Sequence, residues 1–312
     1  MTSRAVQYAR YGGPEVLEIV EREDPEPGPA QVRLAVRAAS VNPIDWKLRS
    51  GGMASTDAPE RPVIGGVDLA GTVEAVGEGV TAFAVGDEVL GSATGGAYAE
   101  KALADAARLA TKPAEVSWEV AGSLPVVATT AYRALALLGL GEDDETDGKV
   151  LVVNGASGGV GVVATQVAVA RGVTVIGTAS ERHQDDVAAL GATPVVYGEG
   201  LAERVRGLTD HVDAAFDAAG KGALGDLVAL TGSAERVITI ADPEAGKHGV
   251  RFTGGASAAG EEVEGALADF TAGVATGRYR APEVVVYPLE QAGKAQEDNR
   301  TGAVSGKLVL QP

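Results

Sequence analysis

The sequence contains no cysteine and only three histidines among its 312 residues. Without cysteine the chain cannot form disulfides, thiolate zinc sites, iron–sulfur clusters or a cysteine nucleophile. The histidines, His183, His211 and His248, share none of the short spacings that metal ligands show. We therefore expect no metal site, and we interpret the histidines as surface residues.

Basic residues are also scarce, with 26 Lys and Arg against 43 Asp and Glu, which gives a net charge of −17. A surface this acidic repels nucleic-acid backbones and anionic lipids. We therefore expect neither a nucleic-acid partner nor binding to a membrane surface. We interpret the charge as a property that keeps the chain in solution.

Apolar stretches of the kind that direct or anchor a protein are missing as well. The N-terminus has no apolar core of a signal peptide. Residues 150–170 are uncharged and long enough to cross a bilayer, but the glycines clustered within 155–161 would interrupt a spanning helix. A buried strand, a tight turn and a buried helix explain this segment better, so we expect a cytoplasmic protein.

The first part of the chain, residues 1–120, has the pattern of β structure. Short β-rich runs at 32–39, 71–76, 87–90 and 98–101 are separated by proline and glycine. No helix of more than a few turns is predicted there.

After this β-rich part, strands and helices alternate. Residues 118–140 predict two helical pieces broken near Pro125. Further strands are predicted at 150–153, 173–178, 195–197, 214–217 and 237–240, with helices at 160–171, 185–190 and 260–276. Uniformly apolar strands that alternate with helices indicate a parallel sheet covered on both faces. Two last strands, at 283–287 and 307–310, can return to the first domain.

The strongest local motif is VLVVNGASGGVG, residues 150–161, which predicts a strand, a Gly-rich turn and the start of a helix. The N-terminus of a helix offers unpaired N–H groups and a positive dipole end, and both suit a pyrophosphate. Gly158 would let the backbone approach the phosphate, and Gly161 would let the helix pack closely on the strand. The motif departs from GxGxxG because Ala156 stands at the first glycine position.

The end of the next predicted strand indicates which dinucleotide binds. Folds that prefer NAD place an acid there for the ribose 2′-hydroxyl, but Thr178 and Ala179 supply none. Ser180 and Arg182 follow, and a hydroxyl with a guanidinium suits a 2′-phosphate. We therefore predict NADP(H); the alternative is that Arg182 is an ordinary surface charge.

The same turn also fits a hydrolase. Residues 155–159 match G-x-S-x-G, the nucleophile elbow, with Ser157 as the nucleophile. Asp217 or Asp242 with His248 would have to complete a triad. The two further glycines and the phosphate-suited strand end favour the dinucleotide site.

Several further motifs follow one another along nearly the whole chain: YGGPEVL (11–17), SVNPIDWKLRSG (40–51), PVIGGVDLAG (62–71), VGDEV (85–89), GAYAE (96–100), LPVVATTAY (124–132), the Gly-rich turn and GKLVL (306–310). In this order they resemble the motifs of the zinc-lacking medium-chain dehydrogenases/reductases, in the quinone oxidoreductase and enone reductase group. The resemblance implies an α/β fold with a GroES-like β-rich catalytic domain and a Rossmann doubly wound parallel-sheet domain. The first would comprise 1–120 and 256–312, the second 121–255, with the active site in the cleft between them.

The departures from zinc-dependent relatives are informative. Their catalytic ligands would fall near Asn42, Val67 and Val126, none of which is a cysteine or histidine. The resemblance therefore implies hydride transfer without zinc, which favours quinones and activated alkenes as acceptors.

Roles for individual residues follow from the same resemblance. The turn would hold the pyrophosphate through Ala156, Ser157, Gly158, Gly159, Val160 and Gly161. Ser180, Arg182 and Tyr197 would meet the 2′-phosphate, and Thr130 would lie on the nicotinamide side. Asn42, Asp45 and Lys47 would be the catalytic residues on the substrate and nicotinamide side, with Lys47 polarising a carbonyl oxygen or passing a proton.

Each catalytic assignment has a structural alternative. Asn42 and Asp45 are residue types that favour turns, and Lys47 can be a solvent-exposed charge. Trp46 and Tyr98 can be packing residues.

The predicted function is an NADPH-dependent reductase of a quinone or enone. An enoyl-thioester reductase, or an NADPH-binding sensor or structural protein without turnover, is the alternative. The resemblance also implies a homodimer.

Overall fold

The chain divides into two units, residues 1–126 with 267–312 (unit 1) and residues 127–266 (unit 2). The computed structural model describes residues 1–254 and 263–312. The predicted domain boundary at 255–256 lies outside the described residues, and so does the beginning of the helix predicted at 260–276.

The first part of unit 1 is mostly β. Its strands are β1 (Thr2–Tyr8), β2 (Glu18–Glu23), β3 (Gln31–Val41), β4 (Val63–Ile64), β5 (Asp68–Val76), β6 (Glu88–Ser92), β7 (Lys101–Asp105) and β8 (Leu109–Thr111). Its helices are α1 (Pro43–Arg49) and α2 (Trp118–Ser123). The strand predicted at 98–101 is wrong, because regular pairing starts only at Lys101 and the residues before it make an isolated bridge from Ala99 to Ala5.

Unit 2 alternates helices and strands. The helices are α3 (Pro125–Leu137), which begins at the unit boundary, α4 (Gly159–Ala170), α5 (Gln184–Ala188), α6 (Leu201–Arg206) and α7 (Leu224–Thr231). The strands are β9 (Val150–Asn154), β10 (Thr174–Ala179), β11 (Thr193–Val196), β12 (Ala214–Asp217), β13 (Val237–Thr239) and β14 (Arg251–Phe252). The predicted break at Pro125 is confirmed, since α2 ends at Ser123 and α3 begins at Pro125.

The last elements are α8 (Ala266–Ala275), β15 (Val284–Pro288), α9 (Ala292–Thr301) and β16 (Lys307–Gln311). β16 pairs with β3, and this brings the C-terminal strands into a sheet of order β15-β16-β3-β5-β6-β8, with β7 also on β3. A second sheet has the order β2-β1-β4. In β3, buried Val32, Leu34 and Val36 alternate with less buried residues, so one face of the strand packs on the core of unit 1.

The sheet of unit 2 has the order β11-β10-β9-β12-β13-β14, and all of its pairs are parallel. Numbered within the unit this order is 3-2-1-4-5-6, that of dinucleotide-binding sheets. All five residues of β9 are buried, as expected for a central strand covered on both faces. The predicted doubly wound parallel sheet is confirmed.

Candidate functional site

The Gly-rich turn lies at the carboxyl end of β9, the central strand of the unit 2 sheet. Gly155 has φ +87°, a backbone conformation that residues other than glycine rarely adopt. Gly158 precedes α4 as its N-cap without any side-chain cap. The N–H groups of Gly159, Val160 and Gly161 therefore start the helix without intrahelical partners, at its positive dipole end. This arrangement fits the pyrophosphate of a dinucleotide.

The departure of Ala156 from the glycine pattern is accommodated inside the sheet. Ala156 is fully buried, and a Cβ at Gly177 in β10 would lie 2.7 Å from its methyl group. The missing side chain at 177 thus makes room for the extra methyl at 156. Gly161 is indispensable in a different way, because a Cβ there would lie 2.0 Å from the carbonyl oxygen of Gly155.

A chain of hydrogen bonds joins the carboxyl ends of four adjacent strands; we call it the strand-end ladder. Thr178 Oγ1 donates to Asn154 Oδ1 (2.6 Å), and Asn154 Nδ2 donates to Asp217 Oδ1 (2.8 Å). Thr239 Oγ1 donates to Asp217 Oδ2 (2.8 Å). The ladder also fixes the loops, since the N–H of Gly155 donates to Thr178 Oγ1 and that of Gly220 to Asp217 Oδ1.

The predicted 2′-phosphate residues lie beside the turn at the next strand ends. Ser180 follows β10 and is partly exposed, and Arg182 is exposed two residues further on. Tyr197 is 47% exposed, and its backbone N–H donates to the carbonyl oxygen of Ala179 at 3.3 Å. Ser180 and Tyr197 therefore lie close together at the carboxyl edge of the sheet.

The remaining predicted residues of unit 2 are more dispersed. Ser157 is partly exposed within the turn, and Val160 is partly exposed in the first turn of α4. Thr130 is on α3 and 9% exposed.

The hydrolase alternative does not assemble in the described part of the chain. A triad needs an acid bonded to the histidine. The carboxylate of Asp217 instead serves the strand-end ladder, and Asp242 Oδ1 accepts from the N–H of Glu244. His248 is exposed after a short turn and has no hydrogen bond to either acid.

In unit 1, Asn42 is the centre of a buried polar cluster. The residue is only 1% exposed. Its amide nitrogen donates to Ser40 Oγ (3.0 Å) and Asp68 Oδ2 (2.8 Å). Its amide oxygen accepts from Lys307 Nζ at 2.6 Å. Both amide hydrogens are used, so Asn42 has no N–H donor left for a ligand.

Asp45 belongs to the same cluster and holds the start of α1. Its Oδ2 accepts from the N–H of Asn42 (2.7 Å) and from the Tyr98 hydroxyl (2.9 Å). Its Oδ1 is buried and has no hydrogen-bond partner within the described residues. Burial raises the pKa of Asp45 to about 7, against the lowering effect of those hydrogen bonds and of Lys307.

Burial disfavours the charged forms of the ionisable groups in the cluster. Burial raises the pKa of Asp68, and Lys307 with the hydrogen bonds from Asn42 and Ser40 counters the rise. Burial lowers the pKa of Lys307, and the two aspartates counter that. Lys307, whose Nζ is hydrogen-bonded to Asn42, therefore favours the charged forms of both Asp45 and Asp68 through its positive charge.

Lys47, the third predicted catalytic residue, lies on α1 outside this cluster. It is partly exposed, and its Nζ is 5.7 Å from the centroid of the Trp46 ring. Trp46 is in turn fixed by a hydrogen bond from Nε1 to Asn299 Oδ1 (3.1 Å). Trp46 thus packs against α9 and supports Lys47.

Sequence reasoning missed Asp68, Lys307 and the strand-end ladder. The signal for the ladder was present, because β9, β12 and β13 end in the polar residues Asn154, Asp217 and Thr239, and Thr178 is the last residue but one of β10. Lys307 is 265 positions from Asn42, so no local pattern connects them.

Two family models match the chain. Residues 28–114 match the alcohol dehydrogenase GroES-like domain, and residues 159–257 match the zinc-binding dehydrogenase domain. Together with the β-rich unit 1 and the parallel sheet of unit 2, they define a protein of the dehydrogenase class with a GroES-like part and a Rossmann part. Among residues 1–254 and 263–312, no group of three His, Cys, Asp or Glu that could hold a metal ion is found.

Individual relatives narrow the class. The quinone oxidoreductase of Lama guanicoe is 33% identical over 98% of this chain and 97% of its own length. A chloroplastic quinone-oxidoreductase homolog of Spinacia oleracea is 39% identical over 62% of this chain, which spans 60% of that relative. A mycobacterial structure in complex with NADPH has a TM-score of 0.83 at 29% identity, covering 99% of this chain and 100% of that one. The chain belongs to the quinone oxidoreductase group of the medium-chain dehydrogenases/reductases.

No helix among the described residues is long and apolar enough to span a bilayer.

Proposed function

We propose that the chain is an NADP(H)-dependent, zinc-independent reductase that delivers a hydride to a quinone or to the alkene of an α,β-unsaturated carbonyl. The observation that carries the proposal is the Gly-rich turn after β9 next to Ser180 and Arg182 after β10. The first suits a pyrophosphate and the second a 2′-phosphate. The relatives named quinone oxidoreductase support a quinone as the acceptor. The mycobacterial structure with NADPH supports NADP(H) as the cofactor.

Unit 2 supplies the cofactor contacts in this proposal. The turn, residues 156–161, holds the pyrophosphate, while Ser180, Arg182 and Tyr197 hold the 2′-phosphate. Thr130 lies on the nicotinamide side. The bound cofactor supplies the hydride, and the protein contributes orientation and electrostatics.

Unit 1 supplies the acceptor side. Asn42 acts by shaping the site, since its amide hydrogens are already donated to Ser40 and Asp68. We assign the polarisation of the carbonyl oxygen to Lys47, because it is partly exposed and its ammonium lies over the Trp46 ring rather than in an ion pair among the described residues. In alkene reduction the α-carbon also needs a proton, and we assign that proton to water, with Lys47 polarising the carbonyl.

The test is oxidation of NADPH by the purified protein with a simple quinone, with a short enone and without acceptor, repeated with NADH. We expect acceptor-dependent turnover that is faster with NADPH and unchanged after dialysis against a chelator. A short enoyl thioester as a third acceptor tests the alternative of an enoyl-thioester reductase from a biosynthetic pathway. Tight NADPH binding without turnover on any acceptor would contradict the reductase and support a sensor.

The cofactor preference has its own test in Arg182→Ala. Because a charge-assisted hydrogen bond to phosphate contributes about 1.5–3 kcal/mol, the KM for NADPH should rise roughly tenfold or more. The KM for NADH should stay nearly constant, since NADH has no 2′-phosphate. Equal rises for both cofactors would contradict the assignment.

We also propose a homodimer formed through the edge of the unit 2 sheet. β14 pairs only with β13 among the described strands, and Phe252 in it is 39% exposed. An uncovered edge strand with an exposed aromatic residue favours pairing with a second chain. Light scattering after size-exclusion chromatography would test this; a monomer mass at micromolar concentration would contradict it.

A further inference from the structure

Lys221 has an unusual backbone conformation for its residue type. It follows β12 with φ +63°, between Gly220 (φ +71°) and Gly222 (φ +76°). A left-handed conformation is unfavourable for a non-glycine residue, and a third glycine would avoid that cost. The side chain of Lys221 therefore stands at a place where the backbone favours glycine, and such outliers concentrate at functional sites.

The lysine reaches across the carboxyl edge of the unit 2 sheet. It starts from the loop after β12, and its Nζ is 5.7 Å from the centroid of the Tyr197 ring, which follows β11. In the sheet order, β9 and β10 lie between these two strands. The lysine and Tyr197 thus come together on the edge that carries the Gly-rich turn and Ser180.

The charges at this edge are unbalanced. In the described residues of unit 2, the Lys and Arg side chains with neither an ion pair nor a hydrogen bond are Arg182, Lys221 and Arg236. Arg182 and Lys221 follow β10 and β12 at the carboxyl edge, whereas Arg236 precedes β13 at the opposite edge. In a chain with 43 acids and 26 bases, two exposed cations without an acidic partner on one edge indicate an anionic ligand there.

We propose that Lys221 is a specificity-determining residue that binds the 2′-phosphate of NADP(H), with its ammonium on one side of the phosphate and the Arg182 guanidinium on the other. A phosphomonoester carries nearly two negative charges at neutral pH, which two cations match. Ser180 then supplies a hydroxyl, and the Tyr197 ring holds the lysine stem in place. This inference rests on the proposed function, because it assumes that a dinucleotide binds at this edge.

The experiment is equilibrium titration of the full chain with NADPH, NADH and 2′,5′-ADP. The variants are Lys221→Asn, which removes the charge and tolerates φ above zero, and Lys221→Arg, which keeps the charge. Arg236→Ala is the matched control for loss of an unpaired base on the opposite edge. Thermal unfolding of every variant checks that it is folded.

We expect Lys221→Asn to raise the Kd of NADPH and of 2′,5′-ADP about tenfold and to change the Kd of NADH less than about twofold. Lys221→Arg should retain most of the affinity, and Arg236→Ala all of it. Equal weakening of NADPH and NADH by Lys221→Asn, or no weakening, would overturn the role of Lys221 while leaving the proposed function intact. Wild-type protein that binds neither NADPH nor 2′,5′-ADP would overturn both.

Discussion

Asp45 is a carboxyl group whose surroundings oppose its charge. It is 4% exposed, and one of its oxygens has no partner among the described residues. Burial raises its pKa from 3.8 to about 7. The folded protein therefore keeps a proton on Asp45 across a range of pH in which the unfolded chain has released it, and stability must fall as pH rises through that range.

Asp45→Asn makes this effect measurable. Relative to this variant, wild-type protein should lose up to about 4 kcal/mol of unfolding free energy between pH 4 and pH 8, since one pKa unit corresponds to about 1.4 kcal/mol. Urea unfolding followed by tryptophan fluorescence suits the test, because both tryptophans, Trp46 and Trp118, lie in unit 1. Asp57→Asn, at an exposed acid, is the control. A stability difference independent of pH would show that Asp45 titrates normally.

At the scale of the element, the packing of α4 against β9 depends on one missing side chain. α4 begins within the Gly-rich turn, and Gly161 in its first turn approaches the carbonyl of Gly155. The same close approach places the free N–H groups of the helix beside the strand end. Stability and the anion site therefore depend on the same contact.

Gly161→Ala should break both. Its Cβ would lie 2.0 Å from the oxygen of Gly155, so the helix must shift. We expect a loss of about 1–3 kcal/mol in stability, typical of overpacking, and at least about tenfold weaker NADPH binding. Gly225→Ala in α7 is the control, because the nearest atom to its Cβ would be 3.9 Å away, on His248. There we expect unchanged binding and slightly higher stability. Unchanged binding by Gly161→Ala would contradict the assigned turn.

The elements of unit 2 could be predicted from the sequence because they are local. The run of valines in β9 and the glycines after it specify strand, turn and helix within a few residues. α1 was missed because it is short and starts at Pro43, inside a β-rich part of the chain. The cluster around Asn42 could not be predicted from the sequence. Lys307 belongs to the last strand, and only the pairing of β16 with β3 brings it near Asn42.

Residue roles were harder to predict than elements for the same reason. The resemblance implied catalytic roles for Asn42 and Asp45, but the sequence does not show that their polar atoms are bonded to Ser40, Asp68 and Tyr98. Lys221 gave no signal, because a lysine between two glycines is typical of a surface loop. Its contact with Tyr197 exists only in the folded sheet.

At the scale of the whole molecule, the net charge of −17 determines how the molecules repel one another. The chain reaches neutrality near pH 4.6, where the repulsion between molecules disappears. At low ionic strength, light scattering should rise steeply as pH falls from 7 towards that value, and it should reverse on return to pH 7. Near-UV circular dichroism would check that the protein stays folded meanwhile. Scattering that stays flat down to the neutral point would show that charge does not keep the molecules apart.

The strand-end ladder has a consequence for how tightly a dinucleotide can be held. Where a loop becomes ordered only when its ligand binds, the lost conformational freedom weakens the binding. Here the loops after β9 and β12 are already fixed to Thr178 and Asp217 by hydrogen bonds of their own backbone. These loops thus lose their conformational entropy when the chain folds and not when the ligand binds. A ligand can therefore bind quickly, without waiting for a loop to close.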